Sequence, residues 1–415
     1  MARTRFYLRG KPMNALRLLV VIVNLVPYHV ARWTAVAEAG HQVTVLQRRA
    51  GDPFAVLATD AEQAPFQLHT LADPLVGGVS WQRQLVAWID RLNPQVLVIS
   101  GYSFPESLAA LLVAADRGLP VVVCSESNSH DAPRRPWTEF FKRRVLNLAQ
   151  AGLVGGEPQA AYLQQLGMAP GAIFRGYNAV DNDHFATADH WRVQGEQARN
   201  QFGLPPRYLL AVTRFTEKKN LHRLIKGYAL WRRHASVEQQ QLNLLILGDG
   251  PLRAQLEAQV TALGLQQSVQ LPGACSYSEL PSRYGLAEAF IHASTVEQWG
   301  LVVNEAMAAG LPVLASSTCG CAPELVQPGV TGLRFDPYSS ASIAAAIRWW
   351  CELPDAAVKR LAAACPPRVA SYGPASFAAG MEAAATYALS AHRRPLNPID
   401  RHLLQRLIAR SSSKT

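Results

Sequence analysis

Short apolar runs alternate with amphipathic stretches along almost the whole chain, and this alternation restricts the possible folds more than any other feature. The runs at residues 18–25, 121–125 and 242–247 consist mostly of Val, Ile and Leu, whereas residues 81–92 and 221–234 have helical periodicity. Strands that are apolar on both faces and alternate with helices are typical of parallel sheets that helices cover on both sides. The pattern therefore predicts an α/β protein.

The number of candidate strands indicates two sheets, because a single sheet of more than about ten strands is rare. The candidates lie at residues 18–25, 42–47, 95–100, 121–125 and 153–154, and then at residues 208–212, 242–247, 269–271, 289–292, 313–315 and 332–335. We predict two doubly wound domains that face a cleft, with a ligand at the carboxyl ends of the strands. The polar stretch at residues 181–203, expected to be poor in helix, separates an N-terminal domain (residues 1–185) from a C-terminal domain (residues 186–373).

The basic surplus of the chain is confined to its two ends. Of 40 basic and 30 acidic residues, residues 1–17 contain five basic and no acidic ones, and residues 391–415 contain six basic ones and one acidic. Residues 18–390 are therefore neutral overall, which argues against nucleic acid as a partner, since a nucleic-acid binder carries its charge on the folded body. The basic ends suit an anionic surface, so we expect a cytoplasmic protein for which the inner face of the membrane is a candidate partner.

The cysteines favour a reducing compartment and give no sign of a metal site. The six are Cys124, Cys275, Cys319, Cys321, Cys351 and Cys365. None forms a C-x-x-C pair, and Cys319 and Cys321 have no histidine nearby at zinc-binding spacing. We therefore predict reduced, mostly buried thiols in a cytosolic protein, and no bound metal.

The segment at residues 289–316 contains the most informative candidate site. A strand is predicted to end at His292 and a helix to begin near Gly300. The free N–H groups and the positive dipole end of such a helix suit a diphosphate. Glu297 lies just before this terminus and Glu305 in the second turn, so the two carboxylates can address opposite ends of one anionic ligand.

Two other loops support a site for an anion. Arg214 and Lys219 follow the strand at residues 208–212, and two cations there would neutralise a diphosphate leaving group without a metal. The next strand is followed by Gly248-Asp249-Gly250-Pro251, where glycines would let the backbone approach a ligand. The same four residues equally suit an ordinary turn from strand to helix.

Five motifs in this order resemble the signature of the family 4 retaining glycosyltransferases, which have the GT-B fold of two Rossmann-like domains. The matching residues are Glu297 and Glu305 with the run EAMAAGLPV from Glu305 to Val313, the pair Arg214 and Lys219, the turn at residues 248–251, the linker residues Asn178, Val180, Asp181 and Phe185, and then Gly329, Gly332, Leu333, Phe335 and Pro337. The resemblance covers residues 18–391 and is most specific over residues 207–337.

The resemblance implies a nucleotide-sugar donor on the C-terminal domain, an acceptor on the N-terminal domain, and no cofactor. In the family pattern Arg214 and Lys219 hold the diphosphate, and Glu305 binds the ribose. The implied donor-binding residues are Arg214, Lys219, Gly248, Gly250, Glu297, Gly300, Leu301 and Glu305, of which Arg214, Lys219 and Glu297 would also be catalytic.

The reaction implied by the resemblance is transfer of a hexosyl group, with retention, to a hydroxyl group. The acceptor would be a glycan, as in polysaccharide biosynthesis, a lipid-linked sugar or a small molecule. A sugar-nucleotide epimerase or phosphorylase of the same fold, and a catalytically silent partner subunit, are the alternatives. The helix at residues 374–391 resembles the final helix of the family, which crosses back to the N-terminal domain, and residues 392–415 form a basic amphipathic tail.

The chain departs from the family pattern at positions that bear on both substrates. Gln298 stands where the family often has Gly, which concerns recognition of the donor sugar. Pro27-Tyr28-His29 replaces a Gly-Gly turn near the diphosphate, so His29 or Arg32 is expected to take over that contact, with a capping role as the alternative for His29. Acceptor-side candidates are Glu126, His130 and Asp131, for which a cap or an ion pair with Arg134 or Arg135 is the alternative.

Two amphipathic segments allow two interpretations each. Residues 136–150 place Trp137, Phe140 and Phe141 on one side with basic residues beside them. We favour a core helix with a solvated basic edge, and the alternative is a membrane-facing helix near the acceptor site. Residues 398–410 have an apolar stripe opposite basic residues, which suits docking on the protein as well as on anionic lipid.

Overall fold

Seven parallel strands form the first sheet. The computed structural model describes residues 15–48, 63–71 and 80–412. The strands of the first sheet are β1 (Arg17–Ile22), β2 (Gln42–Gln47), β3 (Gln67–Thr70), β4 (Val96–Ser100), β5 (Val121–Ser125), β6 (Ala151–Val154) and β7 (Ile173–Arg175). They lie in the order β3-β2-β1-β4-β5-β6-β7, and all neighbours pair in parallel. The strand order reverses beside β1, which is the arrangement of a doubly wound sheet.

A second parallel sheet is formed by six strands further along the chain. They are β8 (Arg207–Val212), β9 (Leu242–Leu247), β10 (Val269–Gly273), β11 (Ala289–His292), β12 (Val313–Ser316) and β13 (Gly332–Phe335). Their order is β10-β9-β8-β11-β12-β13, again with parallel neighbours throughout. The predicted fold class, two doubly wound parallel-sheet domains, is thereby confirmed.

The sequence did not predict β3 and β7, which are the two edge strands of the first sheet. Every residue of both strands is half-buried or exposed, whereas the inner strands are almost completely buried. An edge strand has a neighbour on one side alone, so it needs no continuous apolar run. Periodicity therefore gave no signal at these positions.

Helices cover both faces of each sheet. In the described part of the chain they are α1 (Pro27–Glu38), α2 (Trp81–Leu92), α3 (Pro105–Arg117), α4 (Pro136–Leu146), α5 (Glu157–Gln165), α6 (Asn182–Ala186), α7 (Ala188–Phe202), α8 (Leu221–Arg232), α9 (Arg253–Ala262), α10 (Leu280–Leu286), α11 (Leu301–Ala308), α12 (Ala322–Leu325), α13 (Ser340–Cys351), α14 (Asp355–Val369), α15 (Pro374–Ser390) and α16 (Pro398–Ser412). On β1, Leu19 and Val21 belong to the core shared with α2 and α3, whereas Leu18 and Val20 belong to the core shared with α1 and α15. Because successive side chains point to opposite faces, both sets must be apolar.

The stretch between the sheets contains helices, which contradicts the expectation that residues 181–203 are poor in helix. The side chain of Asp181 caps α6 by accepting a hydrogen bond from the His184 N–H at 3.0 Å. The longer α7 is polar and is interrupted at Gly195, whose φ of 52° lies in the left-handed region. Since few residues of α7 are buried, its apolar periodicity is faint. The exact limit between the domains, set at residues 185 and 186, stays a prediction.

The last two helices pack on the first domain rather than on the second. On α15, Phe377 lies edge-to-face against Trp33 of α1, with ring centroids 5.0 Å apart. On α16, Leu404 and Ile408 are buried in the core of the first domain, and Arg401 Nη1 lies 2.9 Å from Asp116 Oδ2. Of the two interpretations of residues 398–410, the structure has docking on the protein, with the apolar stripe of α16 covered.

The aromatic side of α4 lies outside the core, which contradicts the interpretation we favoured. Trp137 is 77% exposed, and Phe140 and Phe141 are also exposed, whereas Val145 and Leu146 alone in this helix are fully buried. The helix ends at Leu146, four residues earlier than predicted. Among the described helices, none combines the length and apolar character that a bilayer crossing requires.

Candidate active site

The loops that carry the predicted donor-site residues lie side by side at one edge of the second sheet. Arg214 follows β8, Gly248 follows β9, and Glu297 follows β11. Because parallel strands end at the same edge of a sheet, these three loops meet there. The first and third are joined by the Thr295 N–H, which donates to the Lys218 carbonyl at 2.9 Å.

One carboxylate oxygen of Glu297 is the centre of a compact polar cluster. Glu297 Oε2 accepts hydrogen bonds from His292 Nε2 and from Ser294 Oγ, each at 3.1 Å, and from the ammonium group of Lys219. The structure therefore brings together two residues, Glu297 and Lys219, that the sequence predicted on separate loops. Sequence reasoning missed His292 and Ser294, although a histidine at the last position of an apolar strand was an available signal.

Electrostatics keep Glu297 ionised. Burial opposes this charge, but the hydrogen bond from His292 and the charge of Lys219 hold the pKa of Glu297 well below its usual range. Burial likewise opposes a charge on His292, yet its hydrogen bonds with Cys319 and Glu297 raise its pKa to about 9. The cluster thus presents an anion fixed between two cationic groups, with little freedom to reorient.

Glu305 lies deeper, in the second turn of α11. Its side chain is nearly covered, with 8% of the residue exposed, and it accepts a hydrogen bond from the Tyr284 hydroxyl at 2.8 Å. Burial raises the pKa of Glu305 to about 7, although the bond from Tyr284 works in the opposite direction. Ionisation of a carboxyl group buried in this way destabilises the folded protein. Such groups are often found at functional sites.

The buried carboxyl group makes stability depend on pH in a defined direction. The pKa of Glu305 rises from 4.5 to about 7 on folding. The folded state therefore holds the proton more tightly, and the free energy of unfolding falls as the pH rises from about 4.5 to about 7. Glu305→Gln keeps the shape and an acceptor for Tyr284 but cannot ionise. We expect this variant to be more stable than the parent at pH 8 by about 3 kcal/mol.

Urea denaturation of both proteins at pH 5 and pH 8 measures this effect. The gain should be largest at pH 8 and small at pH 5, where the parent is already protonated. Glu257→Gln is the control, because Glu257 is exposed and pairs with Arg253 at the protein surface. Equal stability of the Glu305→Gln variant and the parent at pH 8 would show that this carboxyl group is not buried as described.

The opposite wall of the cleft belongs to the first domain and begins with α1. Tyr28 lies in the first turn of α1, and burial raises the pKa of its hydroxyl to about 12. The charges of Glu126 and Glu305 also raise this pKa, and the charge of Arg214 lowers it. Tyr28 therefore lies where groups of both domains converge. Arg214 itself is exposed at the mouth of the cleft.

Packing of the backbone explains the glycines of the turn after β9. Gly248 has a φ of 133°, and a Cβ atom there would lie 1.8 Å from the Thr213 carbonyl oxygen. A Cβ atom at Gly250 would lie 2.7 Å from the carbonyl oxygen of Phe215. The turn thus supports the loop that carries Arg214, as the ordinary-turn interpretation requires, and a direct ligand contact of Gly248 or Gly250 stays a prediction.

The helix after Glu297 begins as the sequence predicted. Gly300 precedes α11 with a φ of 103°, and Leu301 is the first helical residue. A Cβ atom at Gly300 would lie 2.7 Å from Cys319 Sγ, so the loop fits closely over the turn below it. The N-terminal N–H groups of α11 lie immediately after Glu297, in the position where a diphosphate was predicted.

A pocket of about 280 Å³ lies in the first domain beside the cleft. It is lined by residues that include Tyr28, His29, Ser100, Tyr102, Glu126 and Gln298. His29 is a neutral ring, because burial lowers its pKa to about 3. Burial also raises the pKa of Glu126; the charge of Arg32 opposes this effect, and the charge of Glu297 adds to it. The structure thus brings together two predicted acceptor-side residues, His29 and Glu126.

Arg32 does not reach the cleft. It is completely buried, its Nε donates to the Ala179 carbonyl oxygen at 2.9 Å, and its guanidinium group lies over the rings of Tyr28 and Tyr177. The expected contact of Arg32 with a diphosphate therefore has no basis in this structure. A helical residue one turn beyond His29 points inward, toward the segment that joins the domains, and the sequence alone did not show this.

The other acceptor-side candidates lie on a loop that touches the donor side. Asp131 forms an ion pair with Arg134, which was the alternative to an acceptor-side role. It also accepts a hydrogen bond from Gln298 Nε2 at 2.9 Å. The Gln298 carbonyl oxygen accepts from Asn128 Nδ2 at 3.1 Å and from Gln159 Nε2 at 2.6 Å. His130 is exposed on this loop. Gln298, where the sequence departs from the family pattern, thus links the two walls of the cleft.

The residues of the site show no grouping suited to a metal ion. In residues 15–48, 63–71 and 80–412, no cluster of three or more His, Cys, Asp or Glu side chains has the geometry to hold one. The side chains of Arg214 and Lys219 and the N-terminus of α11 are positively charged or positively polarised groups at this edge of the cleft.

Comparison with known proteins places both domains in one family. The family model described as Glycosyltransferase Family 4 matches residues 31–184, and the model described as Glycosyl transferases group 1 matches residues 194–364. The two matches follow one another along the chain and together include most of both sheets.

Individual relatives carry different specificities. The chain is 26% identical to an alpha-D-kanosaminyltransferase of Streptomyces kanamyceticus over 61% of its length, and 28% identical to a D-inositol 3-phosphate glycosyltransferase of Catenulispora acidiphila over 60%. It is 32% identical to an alpha-monoglucosyldiacylglycerol synthase of Streptococcus pneumoniae over 29%. These matches cover 64%, 63% and 27% of the respective relatives, which is less than two thirds of each.

Solved structures with a similar fold cover nearly the whole chain. HepE of Anabaena, in complex with UDP and glucose, superposes with a TM-score of 0.69 at 18% identity, covering 88% of this chain and 98% of HepE. Sucrose-phosphate synthase of Thermosynechococcus elongatus gives a TM-score of 0.67 at 20% identity, covering 88% and 97%. At such identities the likeness concerns the fold. Together with the two family models it shows that the chain belongs to the family 4 glycosyltransferases, with the GT-B fold.

Proposed function

We propose that the protein is a retaining glycosyltransferase that moves a hexosyl group from a nucleoside-diphosphate sugar to an acceptor hydroxyl. The observation that carries this proposal is the ionised Glu297, fixed by Lys219 and His292 immediately before the N-terminus of α11. Membership of the family supports it. The UDP and UDP-glucose complexes of HepE, a protein of the same fold, support a nucleotide sugar as the donor.

The donor lies along the carboxyl edge of the second sheet in this proposal. Its diphosphate lies at the N-terminus of α11, against the N–H groups that follow Gly300 and near Arg214 and Lys219. Glu305 accepts hydrogen bonds from the ribose hydroxyls, for which its ionised form is suited. Glu297 contacts the hydroxyls of the sugar, so that the two carboxylates address the two ends of the donor.

The proposed reaction breaks the bond between the anomeric carbon and the diphosphate oxygen. The nucleoside diphosphate leaves with the electron pair, and its new charge is stabilised by Arg214, Lys219 and the dipole of α11, which is why we propose that no metal is needed. The acceptor hydroxyl attacks the oxocarbenium-like centre from the face of the leaving group, and the leaving phosphate takes its proton. Configuration at the anomeric carbon is retained.

The acceptor occupies the pocket of the first domain in this proposal. Glu126 and His29 line it on one side, and Gln298 reaches it from the donor loop. These groups offer hydrogen bonds to a hydroxyl compound, so the proposed acceptor is a glycan, a lipid-linked sugar or a small molecule. The relatives, which include enzymes named for an inositol phosphate and for a diacylglycerol derivative, support this breadth.

A thermal-shift panel with UDP, GDP, ADP and their sugars tests the proposed donor class. A ligand that binds the folded state alone raises the unfolding temperature by mass action, so at least one nucleotide should stabilise the protein. Lys219→Ala should remove most of that shift, whereas Lys226→Ala, which changes an exposed lysine of α8, should leave it intact. Absence of any shift across the whole panel at millimolar ligand would contradict the proposal.

Product analysis separates this proposal from its alternatives. An epimerase would convert the donor sugar without an acceptor, and a phosphorylase would need inorganic phosphate. A silent partner subunit would bind nucleotide without turnover. The intact cluster of Glu297, Lys219 and His292 favours an active enzyme, because folding of α11 does not require a charged group at each of these positions.

We also propose that the exposed aromatic face of α4 meets an anionic membrane, at the inner face of a cytoplasmic membrane. Trp137, Phe140 and the basic Arg143 are exposed there, close along the chain to the acceptor-side loop. Of the basic N-terminal residues predicted to join in, Arg3, Arg5, Arg9 and Lys11 lie outside the described residues, and Arg17 donates to the Asn93 carbonyl oxygen at 3.2 Å. Arg401 of the tail is paired with Asp116. Trp137→Ala should weaken sedimentation with phosphatidylglycerol vesicles, and Val237→Ala, an exposed residue of the second domain, should not. Equal binding of both variants would refute this contact.

A further inference from the structure

Two thiols lie directly beneath the loop that carries Glu297. Cys319 and Cys321 stand in the turn between β12 and α12, with their Sγ atoms 3.5 Å apart. Both residues are buried, with 1% and 0% of their surface exposed. A disulfide bond needs a separation of about 2.05 Å, so a small movement of the two side chains would join them. The proposed transfer reaction makes no use of either thiol.

The turn that holds these thiols is attached to the donor loop at several points. The Gly320 N–H donates to the Glu297 carbonyl at 3.2 Å, and the Cys321 N–H donates to the Trp299 carbonyl at 3.0 Å. Cys319 Sγ also donates to the Trp299 carbonyl, at 2.9 Å. Any displacement of the Cys319 sulfur is therefore transmitted to the backbone just before α11.

The two thiols differ in reactivity, as a nucleophile and its resolving partner do. The hydrogen bond from Cys321 lowers the pKa of Cys319 in spite of burial, and a hydrogen bond with His292 lowers it further. Burial raises the pKa of Cys321 well above its usual value. The other four cysteines are single thiols whose pKa values burial raises, to about 11 at Cys275 and to about 12 at Cys124, Cys351 and Cys365.

We propose that Cys319 and Cys321 form a redox-sensitive dithiol, which a peroxide converts to a disulfide that weakens donor binding. The Cys319 thiolate attacks one oxygen of hydrogen peroxide and releases hydroxide, which gives a sulfenic acid. The Cys321 sulfur then attacks the sulfenic sulfur and releases water. In sum, two thiols and one peroxide give one disulfide and two waters, with sulfur oxidised and the peroxide oxygens reduced. Because both sulfurs are buried, this reaction requires the loop above them to open.

The disulfide acts on the site through the contacts that it removes. In the disulfide, Cys319 has no proton to donate to the Trp299 carbonyl, and its sulfur lies closer to Cys321. His292 loses Cys319 as a partner, although it keeps Glu297. Since Gly300 leaves no room for a side chain above Cys319 Sγ, a moved sulfur also changes the packing beneath the segment from Trp299 to Gly300. The effect on donor binding rests on the proposed function, whereas formation of the disulfide does not.

Mass spectrometry of the full-length protein tests the chemistry without any ligand. The tryptic peptide at residues 284–334 contains Cys319 and Cys321 and no other cysteine. After treatment with hydrogen peroxide this peptide should lose about 2 Da and resist alkylation, and dithiothreitol should restore both properties. Cys351→Ser, which removes a half-buried single thiol, should leave the result unchanged, whereas Cys319→Ser should prevent it. Two freely alkylated thiols in the wild-type peptide after peroxide treatment would overturn the proposal.

Nucleotide binding tests the consequence. The oxidised protein should bind the nucleotide selected by the thermal-shift panel at least about tenfold more weakly than the reduced protein, and reduction should restore the affinity. Cys319→Ser, which lacks the thiol that reacts with peroxide, should have the same affinity before and after the same treatment. Equal affinity of the oxidised and reduced wild-type protein would overturn the proposed control of the site, while a protein that binds no nucleotide in either state would instead overturn the proposed function.

Discussion

Glu297→Ala is expected to lower the rate of sugar transfer by about 1,000-fold, while the protein stays folded. The carboxylate of Glu297 is held in one orientation by Lys219, His292 and Ser294, so its position relative to the donor sugar does not depend on the substrate. Its removal takes away the contact with the sugar and leaves two cationic groups without their common anion. Transfer is measured as nucleoside diphosphate released per enzyme, and folding by circular dichroism.

Two further variants make this prediction specific. Glu297→Gln preserves the volume and loses the charge, so a comparable loss of rate would assign the effect to the carboxylate itself. Glu257→Ala removes an exposed glutamate that pairs with Arg253, and it should have the activity of the parent. Full activity of Glu297→Ala would refute the assignment of this cluster as the active site.

Lys219→Ala is expected to weaken nucleotide binding by about 10- to 100-fold and to slow transfer as well. In the structure the ammonium group of Lys219 contacts Glu297, and the same group is proposed to share its charge with the diphosphate of the donor. Without Lys219, the donor approaches an anionic Glu297 that keeps His292 as its one cationic partner among the described residues. Isothermal titration with the nucleotide selected by the thermal-shift panel measures the affinity.

Arg214→Ala should also weaken nucleotide binding, because Arg214 is the second cation predicted to contact the diphosphate at the mouth of the cleft. Lys226→Ala is the control for both variants, since Lys226 is exposed on α8. Loss of affinity in the two test variants without loss in the control would support a diphosphate held between Arg214 and Lys219. Unchanged affinity and rate in both would remove this role from them.

The sequence predicted the inner part of the fold well, because buried strands leave an unmistakable apolar run. All eleven candidate strands correspond to strands of the structure, and the two that were missed, β3 and β7, are edge strands with half-exposed residues. The polar α7 was missed for the related reason that a mostly exposed helix shows little periodicity. Apolar patterning therefore indicates which residues are buried, and it reveals a strand or helix only where enough of its residues are buried.

The sequence could not predict which side chains of the site contact one another. Glu297 and Lys219 are 78 residues apart, and no local pattern shows that their side chains touch. The partners His292 and Ser294 escaped attention because short polar residues at the end of a strand are common in loops. Arg32 was expected in the cleft because it follows the segment that replaces the Gly-Gly turn of the family pattern, but the helix directs its side chain toward Ala179 instead.

The environment of the two amphipathic helices was the feature that the sequence predicted least well. The apolar stripe of α16 is buried on the first domain, while the aromatic face of α4 is exposed, although both segments combine apolar and basic residues. An apolar stripe predicts that one face of a helix is buried, but it does not identify the surface that covers this face. Tertiary contacts settle the question for α16, and vesicle binding can settle it for α4.

The stereochemistry of the product tests the central claim most directly. The enzyme is incubated with the α-configured nucleotide sugar that stabilises it, and the anomeric configuration of the first sugar released or transferred is followed by proton NMR. The proposed attack from the face of the leaving group predicts that this first product is the α-anomer. Appearance of the β-anomer as the first product would contradict the proposed mechanism.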